Sequence, residues 1–258
     1  MTDARDATRA RLDGGARQSW HPAEIVSVAP LTSRVVSITL RPAAWRAILP
    51  GQHIDVQLTA ADGYRAHRSY SVASPPSDTG VLELVIERLN DGELSTYFHD
   101  SAAPGDTVEI RGPFAEHFVW RTAEPGPVFL AAGGSGVAPF LSMVRERAHL
   151  EHPPAMVLLY SARTWDDVIY REELLAHERA QHGLQLAFCL TRDAARRAAD
   201  FSRRVDRDII AAVRARLSEP PRQSFICGAN SFVRTVADLL VEAGLPSPSI
   251  RTERYGGD

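Results

Sequence analysis

The sequence predicts two differently built domains, an antiparallel β-barrel followed by an α/β domain with a doubly wound parallel sheet. Three observations lead there. Between residues 24 and 112, short runs of period-two alternation are separated by turn residues. From residue 127 onward, strand-like runs alternate with helical ones, the pattern of a parallel sheet covered by helices. Between them lies TAEPGP, 122–127, a breaker-rich stretch that reads as a linker. The expected division is a tail over 1–19, the barrel domain over 20–122 and the α/β domain over 123–258.

Residues 1–17 mix Arg5, Arg9, Arg11 and Arg17 with Asp3, Asp6 and Asp13, without the apolar core of a signal peptide, and read as a disordered or loosely attached tail. The barrel strands are expected at 24–31, 34–42, 53–60, 69–74, 81–89 and 106–112. Alternation is plainest in Leu82-Glu83-Leu84-Val85-Ile86-Glu87 and in Thr107-Val108-Glu109-Ile110, and Pro50-Gly51, Asp62-Gly63, Pro75-Pro76 and Pro104-Gly105 break the runs. Six such strands suggest a small barrel, interrupted by a short helix at 94–99 after Gly92.

The second half is organised around PVFLAAGGSGVAPFLSMV, 127–144. This is a buried strand, a glycine turn at Gly133, Gly134 and Gly136, and a helix start carrying Pro139. Glycines let backbone approach a phosphate, and the free N–H groups at a helix start favour an anion. Proline stands where G-x-G-x-x-G would have its third glycine, and it suits a first helical turn. Tight packing is the other reading of the same turn. Strands are expected at 156–160, 184–190 and 224–227, with helices at 170–178, 207–217 and 232–243, the last ended by Gly244.

Composition narrows the function. With 258 residues, 44% hydrophobic and 24% charged, the chain can bury two ordinary cores. A net charge of -3 leaves no electrostatic footprint for nucleic acid, and the longest apolar run, 128–132, is far too short to span a bilayer. The two cysteines, Cys189 and Cys227, have no metal-ligand spacing, and the nine histidines contain no H-E-x-x-H, so no metal is expected and a reducing cytoplasm is the natural compartment.

Arg68-Ser69-Tyr70-Ser71 offers a guanidinium fork for a pyrophosphate, a ring to stack on a flat cofactor and a hydroxyl for a ring nitrogen. Alternation puts Arg68 and Tyr70 on one face and Ser69 on the other. Taken alone, the tetrapeptide reads equally as an exposed arginine beside a core tyrosine, and Cys227 as a small buried hydrophobe.

In order along the chain, Pro50-Gly51-Gln52, the R-x-Y-S strand, Gly92-Glu93-Leu94-Ser95, Gly112-Pro113-Phe114, GGSGVAP, Cys227-Gly228 and Thr252-Glu253-Arg254-Tyr255-Gly256 resemble the ferredoxin-NADP reductase family of flavoproteins over residues 21–256. One departure is Gly112-Pro113-Phe114-Ala115-Glu116-His117-Phe118, where Gly-Pro-x-Gly-x-Phe is common. The resemblance implies an FAD-binding barrel and a domain for NADPH, with NADH the alternative. It assigns Arg68 to the FAD pyrophosphate, Tyr70 to the ring face, Ser71 to the ring edge, and Ser69 and Val85 to the same binding strands. Gly92, Leu94 and Ser95 would cover the FAD phosphates, while Gly134, Gly136 and Pro139 would cradle the dinucleotide pyrophosphate. Cys227 and Gly228 would flank the nicotinamide, Tyr255 would cover the ring face that the nicotinamide must reach, and Glu253 would orient or buffer the reacting centre. Ser71, Cys227, Glu253 and Tyr255 are thus the expected catalytic set.

Arg163 and Arg192, at the ends of their strands, favour the extra phosphate of NADPH over the ribose hydroxyls of NADH. Arg196, Arg197, Arg203, Arg204 and Arg207 read either as a solvated face or as a docking surface for an acidic electron-transfer partner. The resemblance implies hydride transfer to FAD and electron delivery to ferredoxin or an oxygenase component, because four clustered cysteines for a fused iron-sulfur domain are lacking. The alternatives are a free-flavin or quinone reductase, or a flavin-binding sensor or subunit without nicotinamide turnover.

Overall fold

The computed structural model describes residues 19–44, 47–76, 80–115 and 117–255. The expected tail therefore lies outside the described residues except for Ser19.

The N-terminal sheet has strands β1 (His21–Thr32), β2 (Val35–Pro42), β3 (His53–Thr59), β4 (Arg65–Ser71), β5 (Leu82–Glu87) and β6 (Thr107–Phe114). Its order is β4-β3-β6-β1-β2-β5, with every pairing antiparallel. The two end strands approach through the Val72–Leu84 bridge, which curls the sheet towards a barrel. Ile25, Ile38, Leu40, Ile54, Val56, Leu84 and Ile86 fill the inside, and helix α1 (Glu93–Asp100) adds Leu94 and Phe98. Strand β4 departs from the expected 69–74. It begins at Arg65, where it pairs with Thr59, and ends at Ser71 because Val72 leaves β3 to bridge Leu84.

The C-terminal sheet is parallel: β7 (Val128–Gly133), β8 (Met156–Ala162), β9 (Leu184–Leu190), β10 (Gln223–Ala229) and β11 (Ile250–Tyr255), in the order β11-β10-β7-β8-β9. Strand alternation splits its core. Leu130, Ala132, Leu158 and Tyr160 pack with α2 (Ala138–Arg147) and α3 (Arg171–Ala180), whereas Phe129, Ala131, Val157 and Leu159 pack with α4 (Arg207–Arg214) and α5 (Asn230–Glu242). Apolar residues thus occupy both faces, which is why these strands read as continuous hydrophobic runs. Asp206 caps α4 by accepting the Ile209 N–H at 2.9 Å, and Gly244, at φ +87°, ends α5 as expected. Helix α4 stops at Arg214, short of the expected Leu217. Strand β11 was not expected, since IRTERY carries almost no apolar signal.

The sheet order reverses at β7, whose neighbours β8 and β10 run to opposite edges, so a crevice opens beyond its C-terminal end. An ionic hub outside the crevice joins the barrel to this domain. Arg145 on α2 donates to Glu83 of β5 at 2.6 Å and to the Ala73 carbonyl at 2.9 Å, and grips Glu173 of α3 at 2.6 and 2.8 Å. Tyr170 and Ser37 also donate to Glu83. Helix α2, and the glycine turn at its start, are thereby tied to the barrel. Among the described residues, no helix is long and apolar enough to cross a membrane.

Candidate functional site

Two adjoining clefts lie where the ends of β4 and β5 face the C-terminal ends of β7, β10 and β11, with cavity volumes of about 280 and 540 Å³. The first is walled by the R-x-Y-S strand, α1, the glycine turn and the end of β11. The second runs over the ends of β7, β8 and β10. Glu87, Leu89, Ser135 and Tyr255 line both, so the clefts share a wall rather than being separate sites.

In the first cleft the alternation of β4 works as expected. Arg68 is exposed and spends one donor on the His67 carbonyl at 2.7 Å, which leaves most of its fork free. Tyr70 is half-buried with its ring edge-on to Phe98, centroids 6.3 Å apart, and burial raises its hydroxyl pKa. Ser69 turns to the other face, donating to Asp55 at 2.5 Å, and Arg111 grips the same carboxylate at 2.8 Å. Val85 and Leu94 supply apolar wall. Gly92 and Ser95 sit together: a Cβ at Gly92 would stand 2.3 Å from the Ser95 hydroxyl, which accepts the Leu89 N–H and donates to the Gly92 carbonyl. Ser95 therefore shapes the loop leading into α1.

The far end of this cleft carries a carboxylate cluster that the sequence showed only in part. Glu253 Oε2 accepts the Ser71 hydroxyl at 3.1 Å and lies 4.0 Å from Cys227 Sγ, while its Oε1 is 3.5 Å from His53 Nδ1. Ser71, Cys227 and Glu253 come from β4, β10 and β11, so only the assembled fold unites them. Burial, with the charge of Glu253 adding, pushes the Cys227 thiol well above its usual pKa, so Cys227 is a neutral wall atom. Tyr255 donates its hydroxyl to the Gly133 carbonyl, and burial pushes it up to about 12.

The glycine turn forms a single 3-10 turn, 134–137, before α2. Gly134 has φ +56°, a left-handed conformation that glycine adopts without strain. Gly136 is glycine for a packing reason, since a Cβ there would stand 2.4 Å from the Cys227 carbonyl oxygen. Gly134 lines the second cleft and Gly136 the first. Pro139 is buried in the first turn of α2, and Gly228 packs on Gly133 and Phe232; neither lines a cleft.

Of the two strand-end arginines, Arg163 lines the second cleft and Arg192 does not, although the Arg192 N–H donates to the Arg163 carbonyl at 2.8 Å. Arg204 stands in the second cleft instead. Neither Arg163 nor Arg204 has an ion-pair partner among the described residues, and Asp167 is occupied in capping Thr164. The rest of the arginine cluster is not a free positive face. Arg196 pairs with Asp193, Arg197 with Glu178 and Asp200, Arg203 with Asp206 and Arg207 with Glu242. Three of these pairs join residues three apart in the chain, whereas Glu178 and Glu242 come from distant helices. His53, Glu87, Ser135 and Arg254 are cleft residues to which the sequence assigned no role, although Ser135 lies inside GGSGVAP and Arg254 beside Glu253 and Tyr255.

This chemistry fits the two cofactors: a free guanidinium and an aromatic face in an apolar-walled slot for FAD, and a glycine cradle with two unpaired arginines for a phosphate-bearing dinucleotide. Comparison with known proteins agrees. Residues 30–119 match the oxidoreductase FAD-binding domain and residues 130–238 the oxidoreductase NAD-binding domain. The chain is 29% identical over 240 residues to ferredoxin-NADP reductase B of Sorangium cellulosum, covering 90% of this chain and 96% of that protein. It is 26% identical over 234 residues to the reductase component of propane 2-monooxygenase from Rhodococcus jostii, where it spans 90% of its own length and 62% of the relative's. A ferredoxin NADP+ reductase from Neisseria gonorrhoeae, solved with FAD and NADP, shares the fold at TM-score 0.76 and 21% identity, over 91% of this chain and 98% of that one. With a barrel presenting R-x-Y-S to a parallel sheet presenting its glycine turn, and both domain matches in that order, the chain belongs to the ferredoxin-NADP reductase family of flavoprotein oxidoreductases.

Proposed function

We propose that the protein is an NADPH-using reductase that passes electrons, through FAD, to an external acceptor such as a ferredoxin or an oxygenase component. The observation that carries this reading is the shared wall of the two clefts, which brings a flavin-type slot and a dinucleotide-type groove edge to edge. When bound, FAD accepts a hydride from a reduced nicotinamide and can release its electrons singly.

The residues of the chain then have distinct tasks. Arg68 would hold the FAD pyrophosphate, Tyr70 would lie against the ring, and Ser71 would offer its hydroxyl at the ring edge, oriented by Glu253. Glu253 faces His53 at the edge of the cleft, so a proton at the Ser71 hydroxyl has an acceptor chain leading outward. Tyr255 fills the junction and would yield its place to the nicotinamide, breaking its bond to Gly133. Arg163 and Arg204 would hold the extra phosphate of NADPH, which supports NADPH over NADH. Both cysteines are free and buried, in keeping with a reducing, cytoplasmic compartment.

The test is the absorption spectrum of the purified protein before and after anaerobic NADPH. Flavin bands that bleach are expected; a protein that takes up no FAD, or bands unmoved by either NADPH or NADH, would refute the reading. Arg163→Ala should lower kcat/KM for NADPH by about tenfold or more, as for a lost charge-assisted contact, and leave NADH nearly untouched. A strong NADH preference unchanged by that substitution would overturn the choice of dinucleotide.

A further inference from the structure

We infer that Glu87 is a specificity-determining residue that holds the phosphate-binding turn closed until a dinucleotide displaces it. The inference rests on the dinucleotide reading of the second cleft. Glu87 ends β5 in the barrel, whereas Ser135 lies in the middle of the glycine turn of the other domain. The Ser135 hydroxyl donates to Glu87 Oε2 at 2.8 Å, so one hydrogen bond spans the shared wall of the two clefts. No arginine, lysine or histidine among the described residues forms an ion pair with Glu87. A Cβ built on Gly134 would stand 3.9 Å from the same Oε2, which places the carboxylate directly over the turn.

A glycine turn at the end of a parallel strand, with a hydroxyl pointing out of it, is built to receive an anionic oxygen. Here that hydroxyl already serves an anionic oxygen supplied by the protein. A pyrophosphate entering the cleft must take over the Ser135 hydroxyl and move a like charge aside, both at a penalty that a ligand without a pyrophosphate escapes. Once freed, the Glu87 carboxylate has only donors to welcome, and ribose hydroxyls are the donors a dinucleotide carries. Glu87 therefore weakens binding of anything bearing a bare pyrophosphate and spares ligands held only at the arginines.

The experiment is isothermal titration of the FAD-loaded protein with NADP+ and with 2′-AMP, which keeps the extra phosphate and lacks the pyrophosphate. Glu87→Gln should tighten NADP+ by about fivefold or more, from removal of one charge beside the pyrophosphate, and change 2′-AMP by less than about twofold. Ser135→Ala tests the route: if Glu87 competes for that hydroxyl, the gain from Glu87→Gln should shrink by about half or more in the Ser135→Ala background. Equal or weaker NADP+ binding by Glu87→Gln overturns the proposal. So does an equal gain for 2′-AMP, or a gain undiminished without the Ser135 hydroxyl. Wild-type protein that binds 2′-AMP and NADP+ not at all overturns the dinucleotide reading itself and is thereby told apart from failure of the Glu87 role. Glu87→Ala, titrated in parallel, guards against a local defect peculiar to glutamine.

Discussion

Replacing Arg145 by leucine should be the most damaging single change outside the clefts. The guanidinium is 15% exposed and holds Glu83 and Glu173, whose side chains are 16% and 31% exposed. Leucine would leave two carboxylates facing each other with no cation between them. Breaking a buried pair by removing one partner costs about 3–5 kcal/mol, and the partial exposure of Glu173 argues for the low end, about 3 kcal/mol. For a chain of this size that corresponds to a Tm lowered by about 6–12 °C. Acidity supplies an independent check. Burial alone would raise the Glu173 carboxyl, but hydrogen bonds from Arg145 and His177, with their charges, outweigh it and hold the group at about 2 instead of 4.5. A depressed carboxyl stabilises the fold above pH 4.5 and ceases to do so as pH falls through about 2. The gap in Tm between wild type and Arg145→Leu should therefore be widest near neutrality and narrow below pH 4.5. Scanning calorimetry from pH 7 down to the acid limit of reversibility reads both, and adding Glu83→Gln and Glu173→Gln to Arg145→Leu should restore about half the loss or more. A gap under about 2 °C at pH 7, or one that does not narrow in acid, would refute the account of the hub.

Gly136→Ala should lower stability by about 1–3 kcal/mol or displace the turn, because its Cβ would stand 2.4 Å from the Cys227 carbonyl; an unchanged Tm and unchanged dinucleotide affinity would contradict this. Cys227, buried and with its thiol pKa raised, should resist iodoacetamide at pH 7.5 in the native protein and react on unfolding, as followed by mass spectrometry. Arg147, 1% exposed, closes the loop between α2 and β8 by donating to the Pro154 carbonyl, Gln181 Oε1 and the His182 carbonyl. Arg147→Met should cost about 2–3 kcal/mol by leaving those acceptors unserved, with lysine restoring little since it lacks the planar fork.

Much of this protein was legible as local pattern. Period-two runs marked the barrel strands, and strand-helix alternation marked the parallel sheet, because both follow from which side chains a backbone element can bury. Arg68, Tyr70 and Ser71 share one strand, and the glycine turn is contiguous, so their placement needed nothing beyond the chain around them. What the sequence could not hold is the meeting of elements far apart in the chain. Strand β11 exists because β10 offers it an edge, its own residues being too polar to announce it. Glu253 reaches Ser71 across 182 positions, and Ser135 reaches Glu87 across 48. The choice of Arg204 over Arg192 at the groove, and the pairing of Arg197 with Glu178 and of Arg207 with Glu242, were likewise settled only by packing. Backbone propensity and hydrophobic period are properties of neighbours in sequence. Charge pairing and cleft lining are properties of neighbours in space, which come into being only when the two domains close on each other.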